Sequence, residues 1–135
     1  MALVLPNGGE VIALEAFVGK TQGMNLVLGL FKSNTTPGET DTIGTYTAAD
    51  FTGYSPITLT ASCWSSTPDA PSSITYPQQS FTSTAGSQSQ AVYGYMLMQS
   101  ISGGTLAYAE RFTDGPYTII DNGDVIRVTP AITCD

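Results

Sequence analysis

Eleven carboxylates, four basic side chains and no histidine make up the ionisable inventory of this 135-residue chain. Histidine is the commonest general base and the commonest metal ligand. Without it neither a Ser/His/Asp triad nor a Cys/His pair can be assembled. No Gly-x-Ser-x-Gly elbow and no phosphate-cradling Walker loop is present. Glycoside hydrolysis needs two carboxylates across a cleft, and the candidates are Glu10, Glu15, Asp50, Glu110, Asp114, Asp121 and Asp124. Most stand at turns or helix ends, where acids serve solubility and turn geometry. Asp121-Asn122-Gly123-Asp124 suggests Ca²⁺ at first sight, but the alternating oxygen ligands and the distal Glu of a calcium loop are missing, so it reads as a hairpin turn. The expectation is a non-enzymatic protein with no cofactor and no metal.

Aromatic residues are the second source of chemistry. Tyr46, Phe51, Tyr54, Trp64, Tyr76, Tyr93, Tyr95, Tyr108 and Tyr117 recur along the chain. Exposed, they would form a platform for the apolar faces of sugars, with Trp64 beside the Pro68 and Pro71 turn as its centre. Buried, they would be ordinary strand residues of a sandwich core.

The elements that position these residues follow from patterning. Val11, Leu14, Phe17 and Val18 fall on one helical face, Glu10 and Glu15 sit early, and Gly19 is a plausible stop, so a short helix spans 9–20. Asn7 or Gly9 would cap its start. An extended strand is the competing reading. Everything after it reads as β: 25–32, 54–60, a short run at Cys63-Trp64, 73–76, 79–84, 91–99, 106–112, 117–120 and 125–132, separated by Gly, Pro, Asn and Asp turns. About eight short strands without intervening helices predict an antiparallel, jelly-roll-like β-sandwich with one N-terminal helix, a single domain over residues 1–135.

Composition narrows the partners. Charged residues are only 11%, against about 25% in ordinary domains. The 13 Ser and 19 Thr supply nearly a quarter of the chain. A net charge of −7 lacks the basic footprint of nucleic-acid binding and is a poor match for an anionic membrane. No run approaches the length of a membrane span, and the N-terminus does not read as a signal peptide. Cys63 and Cys134 are either separate thiols or one bridge. A polar, weakly charged surface suits assembly, because interface cores are depleted in charge. The contact candidates are an apolar arm at 1–8 (Leu3, Val4, Leu5), which either docks on a partner or adds an edge strand to its own sandwich, and the long segments Ser33–Gly53 and Ser65–Pro77, with Tyr46, Phe51, Trp64 and Tyr76.

Three blocks carry a family likeness: Pro6-Asn7-Gly8-Gly9-Glu10 leading into Leu14; Asn25 to Phe31 with its Thr36-Pro37 loop; and Ala109-Glu110-Arg111-Phe112 with Asn122 to Pro130. The Gly53-Tyr54 strand start and Val92-Tyr93-Gly94-Tyr95 fit the same pattern. The chain resembles the small virion structural proteins of tailed bacteriophages, including those of cyanophages. That resemblance implies a capsid cement or decoration protein, made in the host cytoplasm and bound to the outer surface of the capsid. Its partners would be the major capsid protein and symmetric copies of itself, as dimer or trimer. The alternative it implies is a tail or fibre component that touches host glycans.

Overall fold

The computed structural model describes residues 5–18, 24–68, 72–99 and 104–134, apart from the side chains of Phe17 and Cys134. It is an antiparallel β protein with one N-terminal helix, as the patterning predicts. Its centre is a four-stranded sheet in the order β2 (Ile57–Leu59), β1 (Leu26–Phe31), β7 (Gly94–Met98), β8 (Leu106–Arg111). The pairing of β1 with β7 sets Gly29 opposite Met96 and Phe31 opposite Gly94, and a bulge interrupts the β7–β8 register at Leu97/Met98.

Both faces of this sheet are buried. Strand β1 is apolar at almost every position, the pattern of a strand covered on both sides, and β7 is buried throughout. Side chains alternate between the faces. Leu28, Leu30, Tyr95 and Leu97 join Phe51, Phe81, Tyr76, Ile126 and Val128 in the larger core. Val27, Phe31, Met96, Met98, Leu106 and Ala109 form a second core under Tyr46, with Ile43 and Tyr93 packed against it.

The larger core is closed by short ladders: β5 (Gln79–Thr82) with β10 (Val125–Val128), and β4 (Ser72–Thr75) between β3 (Ser65–Thr67) and β11 (Ala131–Cys134). A further ladder joins β6 (Gln90–Val92) to β9 (Tyr117–Ile119). Two runs expected as single strands therefore divide. The 91–99 run changes partner at Tyr93, whose N–H donates to the Phe31 carbonyl at 2.9 Å. The 125–132 run breaks at Thr129-Pro130, because proline has no N–H for the ladder; the Pro130 carbonyl accepts from Tyr76 instead, at 2.9 Å. Chains that bend from one sheet into another are a common way to make sandwich corners. The described residues hold eleven strands rather than about eight for this reason.

The segment Ser33–Gly53, read from sequence as a free loop, is a lid on the smaller core. A single 3-10 turn at Ile43–Thr45 is closed by a reciprocal capping box between Thr42 and Thr45. Beyond it, Lys32 N–H donates to Thr47 O at 2.8 Å and Ala49 N–H to Leu30 O at 2.9 Å, so the end of the lid runs alongside β1.

Helix α1 covers Asn7–Phe17, close to the expected span. Its N-cap is Pro6, without a side-chain cap, rather than Asn7 or Gly9. Gly8 and Gly9 lie against β8, the edge strand of the central sheet: a methyl group on Gly9 would stand 2.0 Å from the Ala107 carbonyl oxygen. Only glycine permits so close an approach, and the helix thereby covers an edge that would otherwise invite pairing. Residues 6–8 therefore belong to the helix and its cap rather than to the arm expected at 1–8. Asn7 and Gly8 are helical, Pro6 is buried and Leu5 half-buried, while Leu3 and Val4 lie outside the described residues.

Within the central sheet packing is also tight at Gly94, where an added methyl would lie 2.2 Å from Glu110 O and 2.4 Å from Phe31 Cζ. Gly94→Ala must displace a ring or a strand, and overpacking of that kind costs about 2–3 kcal/mol. Gly44→Ala meets only Thr42 Oγ1, at 3.6 Å, and should stay within about 0.5 kcal/mol of wild type. Urea denaturation of the two variants measures both values.

Candidate functional site

The aromatic series does not form a surface platform: of its nine rings, Tyr117 alone is exposed. Tyr46, Phe51 and Tyr76 are buried, which corrects their assignment as contact residues: each fills space between the sheet and its covering layers. Tyr46 Oη donates to Asp41 Oδ2 at 2.6 Å, and the same oxygen accepts from Gly38 N–H at 2.8 Å. Phe51 packs 5.4 Å from the Tyr54 ring. Tyr76 Oη accepts from Thr60 N–H at 3.0 Å, and its ring meets half-buried Trp64 edge-on at 5.2 Å. Trp64 is thus a wall of the core at the start of β3. Leu5 keeps a methyl against Gly9.

The carboxylates are dispersed. Asp50 pairs with Lys32 at 2.6 Å and accepts from the Gln90 amide; the Lys32 hydrogen bond, followed by that from Gln90, holds its carboxyl below the usual range. Asp124 Oδ2 accepts from the N–H groups of Ile120 and Asp121 at 2.8 Å each, and these backbone donors lower its pKa. It therefore closes its own turn. Glu110 Oε2 accepts from Tyr95 Oη at 2.5 Å. No three of His, Cys, Asp or Glu converge among the described residues. Cys63 is an exposed free thiol at the end of a single 3-10 turn, and the side chain of Cys134 lies outside the described residues. No helix among the described residues is long and apolar enough to cross a membrane.

What the surface does present is the apolar helical face read from the sequence. Val11, Leu14 and Val18 are 54, 65 and 73% exposed and form a ridge along the outer face of α1. The inner face holds Gly8, Gly9 and Ile12, and only Ile12 of these reaches the core as an apolar side chain. The close backbone approach to β8 through Gly8 and Gly9 leaves the bulky apolar face outward, and the Gly8-Gly9 pair was the signal for that. Two further large apolar side chains, Tyr117 and Ile120, are exposed near the Asp121–Asp124 turn.

No protein-family model, no curated protein and no solved structure matches this chain.

Buried tyrosines give the site's surroundings a pH signature. Burial, aided by hydrogen bonds to Asp41 and Glu110, raises the Tyr46 and Tyr95 hydroxyls well above the ordinary tyrosine value; burial also raises Tyr54. Tyrosines in the unfolded chain ionise near pH 10, so it sheds protons first. The stabilisation is complete below about pH 10 and is lost as pH rises through the raised folded values. Tyr95→Phe should show a shallower alkaline decline of the urea midpoint. At neutral pH it should cost about 1–3 kcal/mol, because Glu110 and the Ala131 N–H lose their partner.

Proposed function

We propose that this chain is a non-enzymatic virion structural protein, a capsid cement or decoration protein that docks on the major capsid lattice through the outer face of α1. The observation that carries the reading is the Val11–Leu14–Val18 ridge on a helix whose opposite face is held against β8. Apolar surface left in water gains roughly 25 cal/mol for each Å² it buries, and three neighbouring large side chains on a rigid element are a ready anchor. The apolar residues Leu3 and Val4 lie just upstream in sequence and would extend the contact.

The task of such a protein is to clamp neighbouring capsid subunits against internal pressure. That requires buried area repeated over a lattice, where many modest contacts combine into high apparent affinity. Glu10, in the first turn of α1, gives the ridge an acidic border, and the last turn has no basic residue. The complementary groove would be apolar with a Lys or Arg rim.

Leu14→Asp combined with Val18→Asp tests this directly. Both side chains are solvent-exposed, so circular dichroism and melting temperature should stay as in the wild type. Binding to expanded capsids lacking the protein, followed by co-pelleting and electron microscopy, should fall about tenfold or more, since two buried apolar contacts would be replaced by charge. Wild-type occupancy by the double variant would remove the ridge as the docking face. Wild-type protein that ignores capsids and decorates tails would move the function to the tail.

A further inference from the structure

Tyr117 stands apart from the other aromatic residues. Its ring is 41% exposed at the start of β9. It forms, together with Arg127 of the neighbouring β10, a wall shared by two shallow clefts of about 250 and 240 Å³. Thr118 and Asp124 line the first cleft; Glu110 and Asp114 line the second.

The ring is held in place from behind. Phe112 packs against it at 5.0 Å, and Tyr95 packs against Phe112 at 6.3 Å. Tyr95 is in turn fixed by its hydrogen bond to Glu110. An exposed aromatic face held by a buried relay is pre-organised, which lowers the ordering cost of binding. The Arg127 side chain makes no hydrogen bond or ion pair among the described residues, so its fork of donors is open. The other arginine beside the clefts, Arg111, is already engaged over the Tyr93 ring at 5.0 Å.

We propose that the paired clefts bind a neutral oligosaccharide, one sugar ring stacking on Tyr117, with Arg127 donating to hydroxyl oxygens and Asp114 and Asp124 accepting from hydroxyl groups. The mixture of lining groups selects this ligand. A sugar ring has one apolar face and an edge of hydroxyls that both donate and accept, and the clefts offer an aromatic face with donors and acceptors around it. An acidic glycan would meet three carboxylates for one free cation, on a chain of net charge −7. A wholly apolar ligand would take water from Arg127 and Asp114 and supply no partner in its place. Two clefts flanking one ring fit adjacent sugar units of a chain. The proposal does not depend on capsid docking through α1, which uses different residues.

The test uses the full chain on an array of neutral gluco-, galacto- and manno-oligosaccharides alongside uronic-acid and sialic-acid glycans. The strongest neutral hit is then titrated calorimetrically. Tyr117→Ala should weaken binding about tenfold or more, Tyr117→Phe should remain within about twofold, and Arg127→Ala should weaken it several-fold. Circular dichroism should be unchanged in all three, since both side chains are exposed. Absence of binding to any neutral glycan at millimolar concentration, a preference for acidic glycans, or a Tyr117→Ala variant that binds like wild type would overturn the proposal. Loss of binding in Trp64→Ala, with Tyr117→Ala unaffected, would overturn it in favour of the Trp64 region.

Discussion

Leu28 and Leu30 of β1 stand with Tyr95 and Leu97 of β7 on one face of the central sheet, while Phe31 and Met96 stand on the other. This pair of strands has no side that tolerates water. Every other element can be understood as a cover for it. The short ladders close the larger core, Tyr46 and its lid close the smaller one, and α1 and β2 flank the sheet. The constraint also explains Gly94: Phe31 reaches its core by lying across a position where a side chain would occupy the same space.

A chain with few charges must fasten its covering layers by other means. Here the tyrosine hydroxyls do it. Tyr54 Oη accepts from Leu30 N–H at 3.0 Å, in the middle of β1. Tyr76 Oη accepts from Thr60 N–H just beyond β2, and Tyr46 Oη reaches Asp41 in the lid. Each ring supplies apolar area to the core and its tip satisfies a polar group that burial would otherwise strand. Glutamines act similarly nearer the surface. Gln88 and Gln90 accept from the N–H groups of Thr52 and Asp50 at 2.7 and 3.0 Å, so alternate side chains of one segment stand in for a missing strand. No buried side-chain polar atom among the described residues is left without a partner.

Much of the architecture was legible because it depends on short-range pattern. The doubly buried strands show as unbroken apolar runs at 26–31 and 95–98, and turns announce themselves through Gly, Pro, Asn and Asp. The short helix was legible for the same reason. Its orientation was not, because helical periodicity identifies an apolar face without saying whether the fold prefers bulk or closeness at the contact. Nor was the burial of Tyr46, Phe51 and Tyr76. Whether an aromatic ring stacks on a ligand or on a neighbouring strand depends on partners distant in sequence, such as Thr60 for Tyr76 and Phe81 for Tyr54. Tyr117 belonged to the same series of rings, and nothing local in its sequence separates it from them. Its exposure follows from the position of β9, which pairs only with the short β6.

The low charge also limits how this protein can find a partner. Long-range steering depends on strong fields that focus an oppositely charged surface. Four basic and eleven acidic residues spread over 135 positions generate a modest field, uniformly repulsive toward a second negatively charged copy. In both proposals above association is governed by contact: by apolar area on α1, or by ring stacking and hydroxyl pairing about Tyr117. Contact-driven binding is slow to form and is tuned through its off-rate. A repeated lattice or a polysaccharide chain compensates by offering many sites to a molecule that has just let go. Surfaces of this kind are therefore better matched to polyvalent targets than to a single soluble partner, and that selects the class of target more sharply than any individual side chain does.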